Sequence, residues 1–306
     1  MDGILVVDKP AGPTSHDVVD RVRRAIGVRR IGHTGTLDPF ATGVLALVVG
    51  RATRLARFLT AADKAYDATI RLGIATDTYD LTGRAAGPSP GSPDGGLPPG
   101  AAFPDRATVE QALATFLGTY PQTPPPFSAK KIDGVRAYVR ARQGTPVDPR
   151  AVVVSAHELA LESAEGGVIR VRIRCSAGFY VRALAHALGE RLGVGAHLEA
   201  LRRTRSAGFG IDDAVSLDRV EREGAAASRL VLPLSGALPH LPAATLTESG
   251  ARRAAHGMAL SGNDFLVPPP PGEPGLVRLV GPDGRLVAVA RPETASGTLH
   301  PFVVMG

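Results

Sequence analysis

Asp38 stands in the stretch GHTGTLDPFATGVL, residues 32–45, between a glycine-and-threonine turn and a proline, just ahead of an apolar run. His33 lies five residues upstream and no other acid is near in sequence. Asp-Pro is a common turn dipeptide, and Asp also caps helices, so an ordinary turn acid is one reading. The other is chemical. A carboxylate fixed on a rigid turn beside an apolar strand can be aimed at a substrate as a nucleophile or a base. The small residues around it, Gly32, Gly35, Ala41 and Gly43, would let a bulky ligand approach the backbone.

Competing chemistries find less support. His33 and Asp38 could join Asp77 and Asp80 of TDTYD around a metal, but the chain has no HxxxH, no CxxC and no clustered acidic spacing. Cys175, the single cysteine, falls on the apolar side of its alternating run. Neither GxGxxG nor GxxxxGK[ST] occurs. The expectation is chemistry without a cofactor and without a metal.

Several elements must position that acid. ILVVDKP reads as a short strand running into a turn. TSHDVVDRVRRAIG then has capping-box spacing at Thr14 and Asp17, one apolar face of Val18, Val19, Val22 and Ile26, and Gly27 as its stop. VLALVVG reads as a buried strand, ATRLARFLTAA as a helix, KAYDATIRLG as a strand and RATVEQALATFLG as a helix. In GVIRVRIRC, Ile169, Val171, Ile173 and Cys175 alternate with Arg170, Arg172 and Arg174, the pattern of a half-buried strand. Gly178 should bend the chain into a helix carrying Val181, Leu184, Ala185 and Leu188, which puts Arg182 at the strand-to-helix junction. Residues 220–244 read as poor core and as a hinge. LVRLVGPDGRLVAVARPE reads as a hairpin, and with a helical stretch before it and PFVVMG after it suggests a small β-rich appended domain.

The 306 residues carry a formal charge of +6. Residues 236–306 hold five Arg against five Asp or Glu, so the excess lies in the first 235 residues. That favours a polyanionic partner without proving one. The single cysteine rules out an internal disulfide and points to a reducing compartment. The four-residue run ILVV is too short for a signal peptide and VLALVV too short for a membrane span, so a cytoplasmic chain without membrane contact is expected. Residues 86–104, rich in Gly and Pro, read as a mobile surface insertion.

Five blocks, in order, resemble the TruB family of tRNA pseudouridine synthases. They are VVDKPAGPTSHDVV with GHTGTLDPFATGVL, KAYDATIRLGIATDTYD, PPPFSAKKIDGVRAYVRARQG, CSAGFYVRALAHALGERLG and GAHLEALRRTRSAGF, and they are spread over most of the span of residues 1–210. The resemblance implies an α+β pseudouridine-synthase fold with a central, largely antiparallel mixed sheet flanked by helices over residues 1–235. A small β-barrel-like, PUA-like RNA-binding domain over 240–306 is expected to follow. The implied reaction is isomerisation of uridine to pseudouridine at position 55 in the T-loop of tRNA, by a stand-alone monomeric enzyme with no cofactor and no obligatory protein partner. The alternative is a tRNA-folding chaperone acting mainly by binding and unfolding the elbow.

By the same resemblance Asp38 matches the catalytic aspartate and Arg182 the arginine paired with it. A guanidinium beside a carboxylate favours its ionised form. Tyr66 matches the tyrosine that stacks on the target base, Tyr180 and Leu201 match pocket-lining residues, and His33 matches the histidine that helps displace the target nucleotide. Lys130, Lys131, Arg136, Arg140 and Arg142 fall in the block, about 123–150, that resembles the RNA-clamping loop. Phe127 and Phe179 depart from the more polar or tyrosine-like residues expected at their places.

Overall fold

The computed structural model describes residues 1–85, 102–127, 150–270, 275–293 and 297–305, together with the backbone of 131–132 and 135–136. Most of the insertion at 86–104 and the greater part of the clamping block therefore lie outside the described residues. In chain order the main elements are β1 (Gly3–Lys9), α1 (Ser15–Ile26), β2 (Ile31–His33), β3 (Thr42–Val49), α2 (Ala56–Ala61), β4 (Lys64–Leu72), α3 (Arg106–Ala114), β5 (Gly118–Gln122), β6 (Val152–Glu165), β7 (Val168–Cys175), α4 (Val181–Arg191), β8 (Ala196–Ser206) and α5 (Leu217–Glu223). They are followed by β9 (Ala243–Leu246), α6 (Glu248–Ala255), β10 (Phe265–Val267), β11 (Val277–Val280), β12 (Leu286–Glu293) and β13 (Thr298–Val304). Two compact units result, one of residues 1–37, 44–62 and 206–306, the other of 38–43 and 63–205.

In the first unit β1 lies beside β3, and β2 is antiparallel to β3, with Gly32 opposite Val48. α1 forms because its ends are satisfied as the sequence predicts. Thr14 accepts from the Asp17 amide, the Asp17 carboxylate accepts from the Thr14 amide at 2.8 Å, and Gly27 closes the helix with a left-handed φ of 69°. Its buried face packs Val18, Val19, Val22 and Ile26 against Leu5, Val7, Leu45 and Leu47 of the strands. The stretch after Val49 departs from the expected helix. Gly50–Leu55 winds as a 3₁₀ turn, and only Ala56–Ala61 is α-helical.

The expectation that 220–244 is poor core is corrected by the structure. Val220, Ala227, Ala237 and Leu238 are fully buried. Val220 comes from α5, Ala227 from a short 3₁₀ turn, and Ala237 and Leu238 directly follow another, so their apolar residues are too few per turn to show a helical period. In the same unit β10-β9-β11-β12-β13 make a five-stranded sheet with its own core of Leu246, Val277, Leu279, Ala288 and Ala290. The predicted hairpin is the antiparallel β11–β12 pair, with Leu279 opposite Ala288.

The second unit carries the mixed, largely antiparallel sheet in the order β8-β4-β7-β6-β5. β4 runs antiparallel to β7 from Lys64 opposite Cys175 to Arg71 opposite Val168. The alternation of β7 appears as expected, Ile169, Val171, Ile173 and Cys175 being buried and the three arginines exposed. α4 follows the bend at Gly178, where φ is +84°. Thr42 and Gly43, the start of β3, pair in parallel with Arg202 and Arg203 of β8. That approach requires glycine. At Gly43, φ is +101° and a Cβ would stand 2.2 Å from the Arg203 carbonyl oxygen.

Gly43→Ala should therefore lower stability by roughly 3 kcal/mol, read as a shift in urea midpoint without a change in slope. A midpoint equal to that of the wild type would show that the strand start is free to move.

Candidate active site

Asp38 is placed by short-range backbone bonds. Its carbonyl accepts from the Ala41 amide at 3.1 Å, which closes the Asp38-Pro39-Phe40 turn. Immediately before it, Leu37 is pinned by Ser15, whose hydroxyl accepts from the Leu37 amide at 2.8 Å and donates to its carbonyl at 3.1 Å. The Asp38 side chain keeps 32% of its surface open to solvent.

Arg182, the second residue of α4, meets it. Nε stands 3.0 Å from Asp38 Oδ2 and Nη2 donates to Oδ1 at 3.1 Å, a two-pronged pair along one edge of the guanidinium. The remaining donors are also engaged. Nη2 donates to the Phe127 carbonyl at 3.0 Å, Nη1 donates to the Thr78 carbonyl at 3.1 Å, and Nη1 lies 3.3 Å from Asp80 Oδ2. Five oxygens thus face the five N–H groups of a side chain that is only 7% exposed. Such a cation has no spare donor with which to swing away, so the Asp38 carboxylate is held in one orientation.

Asp80 is the functional residue that the spacing of TDTYD did not reveal. It is buried, and its Oδ1 accepts from the hydroxyls of Thr78 and Thr82, at 2.8 and 2.6 Å, and from the Thr82 amide at 2.9 Å. The signal lies in the company it keeps: an acid flanked two residues either side by threonines can have one oxygen satisfied locally while the other faces a cation. That arrangement directs Asp80 to Arg182 instead of to a metal. Gln122 is a second such residue. Buried at the end of β5, it accepts from the Tyr180 amide at 2.8 Å and donates to the Tyr180 carbonyl at 3.1 Å, fixing the entry to α4.

Tyr66, on β4, is buried, as is Leu201 on β8, while Tyr180 is half-buried at the cap of α4. Burial pushes the Tyr66 phenol above its ordinary range, against the opposing pull of the Arg203 guanidinium, which also hydrogen-bonds it. Arg203 itself is 1% exposed. Two residues before Tyr66 on the same side of β4, burial lowers Lys64 to about 8, and Arg203 reinforces the shift. Burial pushes the facing Cys175 thiol up to about 12, which leaves it inert as a nucleophile. Phe179 is buried and Phe127, half-buried, contributes its carbonyl to Arg182.

The structure brings Asp38, Arg182, Tyr66, Tyr180 and Leu201 into one compact unit. His33 belongs to the other, at the end of β2, where its Nδ1 accepts from the Gly35 amide at 3.4 Å. Lys130, Arg140 and Arg142 lie outside the described residues. Of Lys131 and Arg136 the backbone alone is described, paired across a two-residue hairpin.

This fold is shared with solved structures. A Cbf5-Nop10-Gar1 complex contains a chain that superposes with a TM-score of 0.73 at 25% identity, covering 99% of this chain and 85% of its own. A structure of an H/ACA RNP bound to a substrate RNA containing 2'-deoxyuridine gives the same TM-score at 23% identity, with the same coverage. Matches to family models and to named relatives make the chain a pseudouridine synthase, an isomerase. Residues 23–181 match the TruB family pseudouridylate synthase N terminal domain, and residues 182–238 match the tRNA pseudouridylate synthase B C-terminal domain. Proteins named tRNA pseudouridine synthase B are 44% identical in Thermobifida fusca, over 99% of this chain and 98% of theirs, and 43% identical in Geobacter sulfurreducens, over 95% and 93%. The chain belongs to the TruB family.

Two outcomes follow from the geometry. Asp80→Asn keeps an acceptor oxygen but removes the charge, so pseudouridine turnover should fall at least about ten-fold while RNA affinity holds, since the residue is buried away from solvent. Unchanged turnover would mean that Asp80 does not hold Arg182. Lys64 is depressed from its ordinary value, so its charge disfavours the folded state below about pH 8, and the penalty fades as pH rises from there toward the unfolded value of 10.5. Lys64→Met should accordingly gain most stability relative to wild type at pH 7 and least near pH 10. Urea midpoints of both proteins across that range would show a constant difference if Lys64 were ordinary.

Proposed function

We propose that this chain converts uridine to pseudouridine at position 55, in the T-loop of tRNA, acting alone, as a monomer, without metal or cofactor, with Asp38 as its catalytic residue. The observation that carries the proposal is a part-exposed carboxylate locked along the edge of a saturated, buried guanidinium, within the unit that also holds a buried tyrosine. The names of the relatives, tRNA pseudouridine synthase B, support tRNA as the substrate.

The reaction needs little else. The bond from C1′ to N1 of the base breaks, the base turns, and a bond from C1′ to C5 forms. The C5 proton is lost and N1 regains a hydrogen, so atoms and electrons balance with no co-reactant. One ionised carboxylate serves each route open to the chemistry: addition to the base, attack on the sugar, or removal of the 2′ proton to give a glycal. Arg182 keeps Asp38 aimed. Tyr66 stacks on the base, with Tyr180 and Leu201 lining the same pocket.

A uridine within a folded loop must first leave its stack, at a cost of a few kcal/mol. His33 helps displace it. Lys130, Lys131, Arg136, Arg140 and Arg142 grip the backbone, where each phosphate neutralised releases counterions and makes binding salt-dependent. Residues 240–306, formally close to neutral, act as an auxiliary PUA-like grip, the T-arm being read by shape and splayed bases instead of by groove contacts.

The test uses the purified chain and a T-arm transcript, with carbodiimide mapping of the product. Wild type should modify the T-loop uridine without any added protein or guide RNA. Asp38→Asn should make none while its tRNA Kd stays within about three-fold. Turnover by the variant would remove Asp38 from the chemistry, and a need for a guide RNA would overturn the stand-alone reading. Rescue of a deletion strain's growth by the inactive variant would make folding of the tRNA the main physiological role.

A further inference from the structure

The turn that supplies two of the five oxygens on Arg182 has an odd backbone. Tyr79, between Thr78 and Asp80, has φ +64°, one of two left-handed residues other than glycine among the described residues. A bulky aromatic holds that conformation only where its surroundings over-determine it. Here the surroundings are specific. The Tyr79 amide donates to the Thr76 carbonyl at 3.1 Å, and its carbonyl accepts from the Leu198 amide at 3.0 Å. The left-handed step lets the Thr78 carbonyl and the Asp80 carboxylate, on either side of Tyr79, both reach Arg182 Nη1.

The Tyr79 ring is stacked on His186, with centroids 3.8 Å apart and planes 8° from parallel. His186 lies on α4, one helical turn beyond Arg182. Its Nε2 stands 3.5 Å from Glu190 Oε1, while its Nδ1 is buried without a hydrogen-bond partner among the described residues. A ring that leaves a polar atom unsatisfied is placed there for its face. The stack therefore joins the turn that presents the acceptors to the helix that presents the donor, and Tyr79 and His186 come from segments about a hundred residues apart in the chain.

We propose that Tyr79 and His186 form a positioning pair for pseudouridine formation, their stacked rings setting the 76–83 turn against α4 so that Thr78 and Asp80 hold Arg182 on Asp38. Neither ring touches the reacting atoms; both act through Arg182. The proposal rests on Asp38 being the residue that does the chemistry.

The deciding variant is Tyr79→Gly, which removes the ring and also relieves the left-handed backbone, so that loss of folding does not confuse the result. Its turnover on tRNA should fall about ten-fold or more in kcat with KM within about two-fold, and Tyr79→Phe, which keeps the ring, should restore kcat. His186→Ala should give a similar loss, and the double variant Tyr79→Gly with His186→Ala should be no worse than either alone, since both break one contact. A readout independent of activity is exchange of the Arg182 Nε proton by NMR, expected to quicken about ten-fold or more in Tyr79→Gly and to stay slow in Tyr79→Phe. If Tyr79→Gly keeps its kcat within two-fold of wild type, or if Arg182 exchange is unchanged, the pair is core packing and the proposal is wrong. If Arg182 exchange quickens in a protein whose wild type forms no pseudouridine in tRNA, the positioning stands and the functional reading fails.

Discussion

A guanidinium that is almost wholly out of water must have every donor satisfied, and the site is organised around that requirement. Arg182 is surrounded by the carboxylates of Asp38 and Asp80 and by the carbonyls of Thr78 and Phe127. The desolvation of such an ion is expensive, and removing any partner leaves charge unpaired in a poor dielectric. The cluster therefore has one good arrangement. Asp38 alone among its ionised members keeps an open flank, so the rigidity is delivered to the group that a substrate can reach.

Backbone devices transmit that order outward. Ser15 grips Leu37 just before Asp38, and Gly43 just after the turn lets the chain lie against Arg203 closer than any side chain would allow. Gln122 clamps both polar groups of Tyr180 ahead of α4. Each holds a peptide group and not a side chain, which suits a site whose function is orientation. Arg203, bonded to the Tyr66 phenol, ties the candidate base-stacking tyrosine to the strand that packs on Gly43. Buried hydrogen-bonded networks of this kind fix geometry more than they add stability.

Much of this was legible in the chain. The capping box and Gly27 gave α1 both of its ends, and the arginine alternation gave β7 residue by residue. Asp38 and Arg182 stood out through the resemblance to a known family, and the structure joins them. What escaped did so for physical reasons. β6 has register shifts between Ala156 and Glu158 and between Leu161 and Ser163, so its apolar residues lose the period of two that marks a strand. The 217–238 stretch buries short turns one residue at a time, which no periodicity records. Asp80 and Gln122 work through partners distant in sequence, and a single chain carries no mark of a contact made across 102 or 58 positions.

In the proposed function Arg182 orients Asp38 for the chemical step and does more than close the core. The most direct measurement is single-turnover pseudouridine formation by Arg182→Lys with saturating enzyme and a T-arm RNA. Lysine keeps the positive charge but has one nitrogen where arginine offers a planar fork, so the rate of the chemical step should drop by about a hundred-fold while RNA binding is retained. A rate equal to that of the wild type at saturation would contradict it, because charge alone would then suffice and the two-pronged hold on Asp38 would have no part in catalysis.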